Sequence, residues 1–354
     1  MTTVLLTGAG GFVGSHVLRH LLVNTDWKII CPVTFRHKGS SDRIASSLGD
    51  LPHVVDRNLK GRVQIVHHDL TMPFSQQWIE RIGQIDVIMN VASESHVDRS
   101  IGDPVGFIQN NVNLILNLLE YARVVRPKLF LQMSTDEVYG PAVAPHLHSE
   151  GEPHRPSNPY SASKAAQESI IYSYWRTYGL AVIITNTMNI FGEMQDPEKY
   201  FAKIMRCVMR GEPVPVHGKP KHVMGSLPQW TAGSRFYLHA RNLADAWLFL
   251  TKLALDPANA GETMWAPYHD DIMRFNIVGE KEIDNKELAQ MIASVMRKGF
   301  TVDWVDFHSS RPGHDLRYAL NGTKLTEYGW HAPVSLEEGI ERTVEWTLRH
   351  SEWL

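Results

Sequence analysis

The chain reads as an α/β protein: a doubly wound parallel sheet with a smaller, mostly carboxyl-terminal α/β lobe. Three observations predict this. Short apolar runs recur between amphipathic segments of helical period, the pattern of parallel strands joined by crossover helices. A glycine-rich turn separates the first apolar run from the first helical one, in Gly8-Ala9-Gly10-Gly11-Phe12-Val13-Gly14. Polar residues able to do chemistry follow apolar runs directly, where open α/β sheets expose the carboxyl ends of their strands.

Taken in order, Val4-Leu5-Leu6-Thr7 is a short buried strand, and the segment to Leu22 is its helix. Glycines at 8, 11 and 14 then have separate uses. Gly8 permits the tight turn, Gly11 lets backbone N–H groups approach a pyrophosphate, and Gly14 allows helix to pack on strand. Strand before and helix after favour a Rossmann-type dinucleotide site, with Phe12 and Val13 among its cofactor contacts, over an ordinary glycine turn. The second strand, Lys28 to Val33, ends in Thr34-Phe35-Arg36, where a ribose-binding carboxylate is usual. The cationic, hydroxyl-rich loop with Arg36, Lys38, Ser40, Ser41 and Arg43 suits a 2′-phosphate, so NADP stands beside NAD. A solvated basic loop is the other reading. Asp69-Leu70, after the strand Val63 to Val66, is placed to meet an adenine, and Ala92-Ser93, after the strand from Asp86, to lie along the cofactor. Asn110-Asn111 falls in the next helix, as a water-holding amide or an ordinary one.

Leu129-Phe130-Leu131 is the next buried strand, and Ser134-Thr135-Asp136-Glu137-Val138-Tyr139-Gly140 emerges at its end. Beyond it, Tyr160 and Lys164 are four residues apart, a spacing that sets both on one helix face. An ammonium near the phenol favours the phenolate and brings a hydroxyl of pKa about 10 within reach of base work. Each feature has a plain alternative: Tyr-x-x-x-Lys arises on many amphipathic helices, and Asp136-Glu137 could cap a helix.

Composition narrows the function classes. With 35 basic and 38 acidic residues the net charge is -3, which points to neither a nucleic-acid nor a membrane surface. Cys31 and Cys207 lie far apart and outside any metal-type spacing, and read as reduced core thiols. The amino terminus enters Val4 without a basic region or long apolar segment, so no targeting address and a cytoplasmic location are expected. No His, Asp or Glu spacing reads as a metal set, and His96 and His314 read as packed or solvated. At 354 residues, a prior of about 150 per domain gives two domains, or one large one with a lobe.

The motifs Gly8-x-x-Gly11-x-x-Gly14, Thr135-Asp136-Glu137 and Tyr160-x-x-x-Lys164 resemble the extended short-chain dehydrogenase/reductase superfamily, and within it the nucleotide-sugar 4,6-dehydratases. Similarity to the dTDP-glucose 4,6-dehydratases comes from Glu94 to Ile101, Ser157 to Ala165 and Arg311 to Tyr318. The resemblance implies tightly bound NAD(P)+ and transient oxidation at C4 of a nucleotide-diphosphate sugar. It further implies loss of water across C5/C6 and a 4-keto-6-deoxy product. Thr135, Asp136, Glu137, Tyr160 and Lys164 are its catalytic group. Ser95, His96, Asn189, Arg235, Asn276, Arg311 and His314 are its expected substrate contacts, Arg235 and Arg311 on the diphosphate. A homodimer is expected by analogy of fold. A 4-epimerase or decarboxylase on the same scaffold is the competing enzyme reading, and a silent cofactor-binding protein the non-enzyme one.

The departures fall on the substrate side. The family's Asn-Asn-Tyr-Gly is here Met188-Asn189-Ile190-Phe191-Gly192, and added residues occupy 219–234 and 264–274. Trp230, in the first insertion, reads as core or as a base-stacking platform. The cofactor domain is expected at 1–188 with about 236–263, and the substrate lobe at about 189–235 and 264–354.

Overall fold

The computed structural model describes residues 1–49, 61–221, 229–256, 271–307 and 315–354. Along the chain, β1 (Thr3–Thr7), α1 (Phe12–Asn24), β2 (Lys28–Val33), α2 (Ser41–Gly49) and β3 (Val63–His67) are followed by α3 (Gln76–Ile82) and β4 (Val87–Asn90). Then come α4 (Val97–Gly102), α5 (Pro104–Val125), β5 (Leu129–Thr135), α6 (Pro159–Tyr178) and β6 (Val182–Thr187). The second part holds β7 (Ile190–Phe191), α7 (Tyr200–Arg210), β8 (Val214–Lys221), β9 (Gln229–Ala232), β10 (Ser234–Phe236), β11 (Leu238–His239) and α8 (Ala240–Leu255). It closes with β12 (Met273–Ile277), β13 (Glu282–Asp284), α9 (Asn285–Val295), β14 (Val302–Asp306), α10 (Thr323–Glu327) and α11 (Leu336–Arg349).

Seven strands form one parallel sheet in the order β12-β6-β5-β4-β1-β2-β3. The order reverses direction between β1 and β4, so a crevice opens at the carboxyl ends of these strands. Strands buried on both faces need apolar side chains throughout, and Val4, Leu5 and Leu6, like Leu129, Phe130 and Leu131, are fully buried. One face is covered by α1 and α8, with Leu18, Leu21 and Trp247 in its core; the other by α5 and α6, with Leu118, Ile171 and Trp175.

A second core, built on Phe201, Ile204, Leu288, Ile292 and Ile340, joins α7, α9 and α11 to the small sheet β14-β8-β9. The range 264–354, expected in the lobe, gives its first described strand to the main sheet: β12 pairs in parallel with β6 from Met273↔Ile183 to Ile277↔Thr187. Met273 and Arg274 are half-buried and Phe275, Asn276 and Ile277 are buried where they complete the sheet edge, which composition near an insertion did not reveal. Trp230 lies on β9 and stacks on Trp304 of β14 with ring centroids 5.5 Å apart and planes 7° from parallel. That face of the indole is taken by protein.

Candidate active site

The glycine turn is shaped by close approach. Gly8 has φ +71°, and a Cβ there would meet the Ala92 backbone nitrogen at 2.9 Å. A Cβ on Gly14 would overlap the Gly8 carbonyl, so α1 can pack on this turn only through glycine. The turn floors a cavity of about 290 Å³ along the crevice between β1 and β4. Gly8, Gly11, Phe12, Val13 and Gly14 form one wall; Thr34, Arg36, Asp69 and Leu70 lie at one end; Ala92 and Ser93 lie beside the turn; Tyr160 and Lys164 line it as well. A narrow cradle of glycine backbone at a helix amino end fits a dinucleotide's pyrophosphate.

At the edge near β2 and β3 the charges are arranged differently from the sequence reading. Arg36 is paired with Asp69, Nη1 to Oδ2 at 3.0 Å and Nη2 to Oδ1 at 3.1 Å, and reaches Asn110 Oδ1 at 3.4 Å. Lys38 pairs with Asp196 and Glu198 at 3.3 and 3.4 Å. Arg36 and Lys38 are thus exposed to solvent but engaged in ion pairs. Asn111 is fully buried, exchanging hydrogen bonds with the backbone of Glu94 and donating to Ser163 Oγ at 2.9 Å. Its amide braces α5 against α6 rather than holding a water.

Tyr160 and Lys164 lie one turn apart on α6, which opens with an Asn158–Ser161 capping box and Pro159 in its first turn. Lys164 Nζ turns to the Met133 carbonyl and Gln167 Oε1, both at 2.7 Å. Burial pushes its ammonium down to about 7, against the attraction of Glu168. The expected lowering of the Tyr160 phenol is absent from this arrangement. Burial and then Glu137 drive it up, opposed by its hydrogen bond with Thr135.

Thr135 ends β5 and caps the short 3₁₀ turn Asp136–Tyr139 that carries the acidic pair. Its hydroxyl donates to Asp136 Oδ1 at 2.9 Å and accepts from the Glu137 N–H at 3.3 Å. Asp136 is buried, and its Oδ2 meets no partner among the described residues. Burial, then the neighbouring Glu137, pushes its carboxyl up to about 7, against Arg235 and the Thr135 hydrogen bond. Glu137 is half-buried and raised by burial, eased by Asn158, Arg235 and Lys199. Adjacent carboxyls at a phenol, one holding a proton near neutrality, can transfer protons in both directions.

Comparison with known proteins places the chain in a family. Residues 5–343 match the family described as GDP-mannose 4,6 dehydratase. A dTDP-glucose 4,6-dehydratase of Salmonella typhimurium is 31% identical over 375 aligned residues, covering 99% of this chain and 94% of that one. The low-salt glycan biosynthesis protein Agl12 of Haloferax volcanii is 33% identical over 350 residues, 99% of both chains. The solved dTDP-glucose 4,6-dehydratase DesIV of Streptomyces venezuelae, with NAD and TYD bound, superposes with a TM-score of 0.79 at 29% identity, covering 99% and 98%. The chain belongs to the nucleotide-sugar 4,6-dehydratase family. It is an enzyme of the lyase class acting on a nucleotide sugar.

The substrate contacts expected of this dehydratase are placed unevenly. Ser95 and His96 line the cavity; His96 also caps α4 and lies 3.5 Å from Glu198. Asn189 is exposed at the end of β6, and its carbonyl receives the Leu238 N–H. Arg235 donates to the carbonyls of Ser234, Leu316 and Asp315 at 2.6–2.7 Å and stacks 4.5 Å over the Tyr318 ring. Its charge nonetheless acts on both carboxyls of the acidic pair. Asn276 is not brought to the cavity: it is fully buried in β12, donating to the carbonyls of His148 and Asn321 at 3.0 Å each. Arg311 and His314 lie outside the described residues. Two groups escaped the sequence reading. Asn158 donates to Glu137 Oε2 at 3.0 Å, and Lys199 lines the cavity and acts on Glu137. Asn-Pro before an amphipathic segment is a signal for a helix cap, but no spacing signals that the cap reaches a carboxylate.

Proposed function

We propose that this dehydratase converts a nucleotide-diphosphate hexose to its 4-keto-6-deoxy derivative with a resident NAD+. The observation that carries the reading is the Asp136–Glu137 pair, buried and half-buried, at Tyr160 and Thr135, which a simple epimerase at C4 does not require. Residues 1–188 and about 236–263 would hold the cofactor, and the remainder the sugar nucleotide. The glycine turn with Phe12 and Val13 would hold the dinucleotide, and the chemistry it would supply there is reversible hydride transfer, out of C4 and back to C6. Tyr160 would receive the C4 hydroxyl proton as its phenolate, the form that its hydrogen bond with Thr135 favours, while Thr135 fixes the C4 oxygen. The ketone makes the C5 proton removable, and Glu137 takes it. Asp136, protonated near neutral pH, gives its proton to the leaving C6 hydroxyl. The two carboxyls titrate as a coupled pair, so their shared proton sets the active pH range. Lys164 serves the cofactor side, its ammonium on the cavity wall. Ser95, His96, Lys199 and Arg235 support the sugar-diphosphate side, and two chains are proposed to assemble as a homodimer. Arg36 is occupied by Asp69, which favours NAD over NADP.

The test is mass spectrometry of the dinucleotide released on denaturation, then incubation with dTDP-, UDP-, GDP- and CDP-hexoses. The expected result is NAD and a product lighter by one water without net cofactor reduction. Tyr160→Phe should lower turnover about 10³-fold with the fold intact. Inverted C4 without water loss would overturn the dehydratase reading.

A further inference from the structure

The loop 146–152 runs between the Asp136–Tyr139 turn and α6, apart from the proton-transfer site. Three side chains on it direct donor atoms to one point. His146 Nε2 lies 3.2 Å from His148 Nδ1 and 3.1 Å from Glu152 Oε2, and His148 Nδ1 lies 2.7 Å from the same oxygen. Dehydration uses none of them.

We propose that His146, His148 and Glu152 form a binding site for one divalent transition-metal ion, Zn2+ matching best, with water completing the coordination. Tetrahedral zinc holds imidazole nitrogen and carboxylate oxygen at about 2.0–2.1 Å, which sets ligand atoms roughly 3.3 Å apart. Two of the observed separations, 3.2 and 3.1 Å, are close to this, and the third, His148 to Glu152 at 2.7 Å, is about 0.6 Å shorter, so the ion requires that pair to open. Two imidazoles and one carboxylate suit zinc, nickel or copper rather than calcium or magnesium.

The ligands are also held by their surroundings, as metal ligands require. His148 is pinned at both backbone groups, its N–H to the Ala319 carbonyl and its carbonyl from the Asn321 N–H, at 2.9 Å each. Its ring stacks on Tyr139, 5.4 Å between centroids and 18° from parallel. Glu152 Oε1 accepts the Ser149 N–H at 2.8 Å, which leaves Oε2 aimed at the histidines. The His146 carbonyl is held by Arg317 Nη1 at 2.7 Å. The His146 side chain is 51% exposed against 11% for His148, so one side of the cluster is open to solvent and to the arriving ion.

The sequence reading expected no metal because it weighed His96 and His314. His-x-His-x-x-x-Glu becomes a ligand set only when the loop folds back on itself. Bound metal would tie that loop into one unit beside Tyr139, and the loop returns to the acidic turn where the Arg155 N–H meets the Val138 carbonyl at 2.8 Å. The ion is structural on this reading, and its effect is on stability and not on the proton transfers.

The experiment uses the full-length enzyme stripped with EDTA. ZnCl2 is titrated by calorimetry, CoCl2 by visible absorption, and the thermal midpoint is followed with and without zinc. The expected result is one ion per chain, a cobalt ligand-field band and a zinc-dependent rise in midpoint. His146→Ala and Glu152→Gln should each weaken binding at least tenfold and remove the rise, and His350→Ala, an exposed histidine elsewhere, should change neither. His146 is exposed, so its variant should keep the metal-free midpoint; Glu152→Gln serves if it does not. Absence of saturable binding would overturn the site, as would affinity equal to the parent's in both ligand variants.

Discussion

Asp136, on the 3₁₀ turn after β5, and Glu168, on the same helix as Tyr160 and Lys164, are both buried carboxyl groups, and they are held in opposite ways. Glu168 accepts from Ser134 Oγ, from Asn186 Nδ2 at 2.9 Å and from His154 Nε2 at 3.3 Å, and is ion-paired with Arg274. Burial pushes its carboxyl up, yet His154, Arg274 and Ser134 together hold it down at about 2. Asp136 has one hydrogen bond from Thr135, an acidic neighbour and an oxygen unmatched among the described residues, and rises to about 7. Desolvation is common to both; partners decide the outcome. Glu168 fastens β5, β6, β12 and the loop before α6 to one point, and this rigid assembly positions a pair left free to exchange protons.

Removing one charge from each region should therefore separate chemistry from stability. Glu137→Gln keeps an acceptor for Asn158 and should fold normally, while turnover falls about 10³-fold. Reduced cofactor should then build up on adding substrate, because oxidation at C4 precedes the blocked step. Glu168→Gln leaves Arg274 buried without its counter-charge and should cost about 3 kcal/mol, read by denaturant titration. If Glu137→Gln unfolded the protein, or Glu168→Gln lowered turnover alone, the division between the regions would fail.

The pH response should have opposite signs. A carboxyl whose folded pKa is raised binds its proton more tightly in the native state, so Asp136 makes stability fall as pH rises from its unfolded value near 4 to about 7. Glu168, depressed to about 2, contributes stability that is full above its unfolded value near 4.5 and lost as pH falls toward 2. Turnover should drop about tenfold per pH unit above 7, as Asp136 loses the proton it donates. Asp136→Asn should be slow at every pH and lose both the alkaline limb of the rate profile and the mid-pH stability slope. An unchanged slope in that variant would assign the proton elsewhere.

The legible parts of the molecule were those encoded locally. The glycine turn, the strand ending in Thr135 and the Tyr160/Lys164 face depend on residues within a turn or two of one another, and periodicity with turn chemistry exposes them. The Glu168 assembly draws residues from positions 134, 154, 186 and 274, and no spacing signals such a convergence. Asn276 illustrates the reverse error: a family-like position became a bracket for His148 and Asn321 because β12 joined the sheet edge. Lys164 shows a subtler one, since helix spacing places its chain beside Tyr160 but the Met133 carbonyl and Gln167 capture its ammonium.

The contrast between engaged and free charge also applies at the cofactor's far edge, with a smaller effect. Asp69 is held by the Thr71 N–H at 3.0 Å, the Thr71 hydroxyl at 2.8 Å and Arg36; despite some burial, these contacts keep its carboxyl below the usual range. As a fixed anion it neutralises Arg36 and adds repulsion toward a 2′-phosphate. Asp69→Asn keeps the Thr71 contacts while releasing the guanidinium, so the preference for NAD over NADP should shrink about tenfold, measured by reconstituting the emptied protein with each dinucleotide. Arg36→Ala should abolish that gain when added to Asp69→Asn. The half-exposed pair should contribute under about 1 kcal/mol to folding, so both variants should unfold close to the parent midpoint. A shift in cofactor preference that persists without Arg36 would mean that another cation meets the 2′ position.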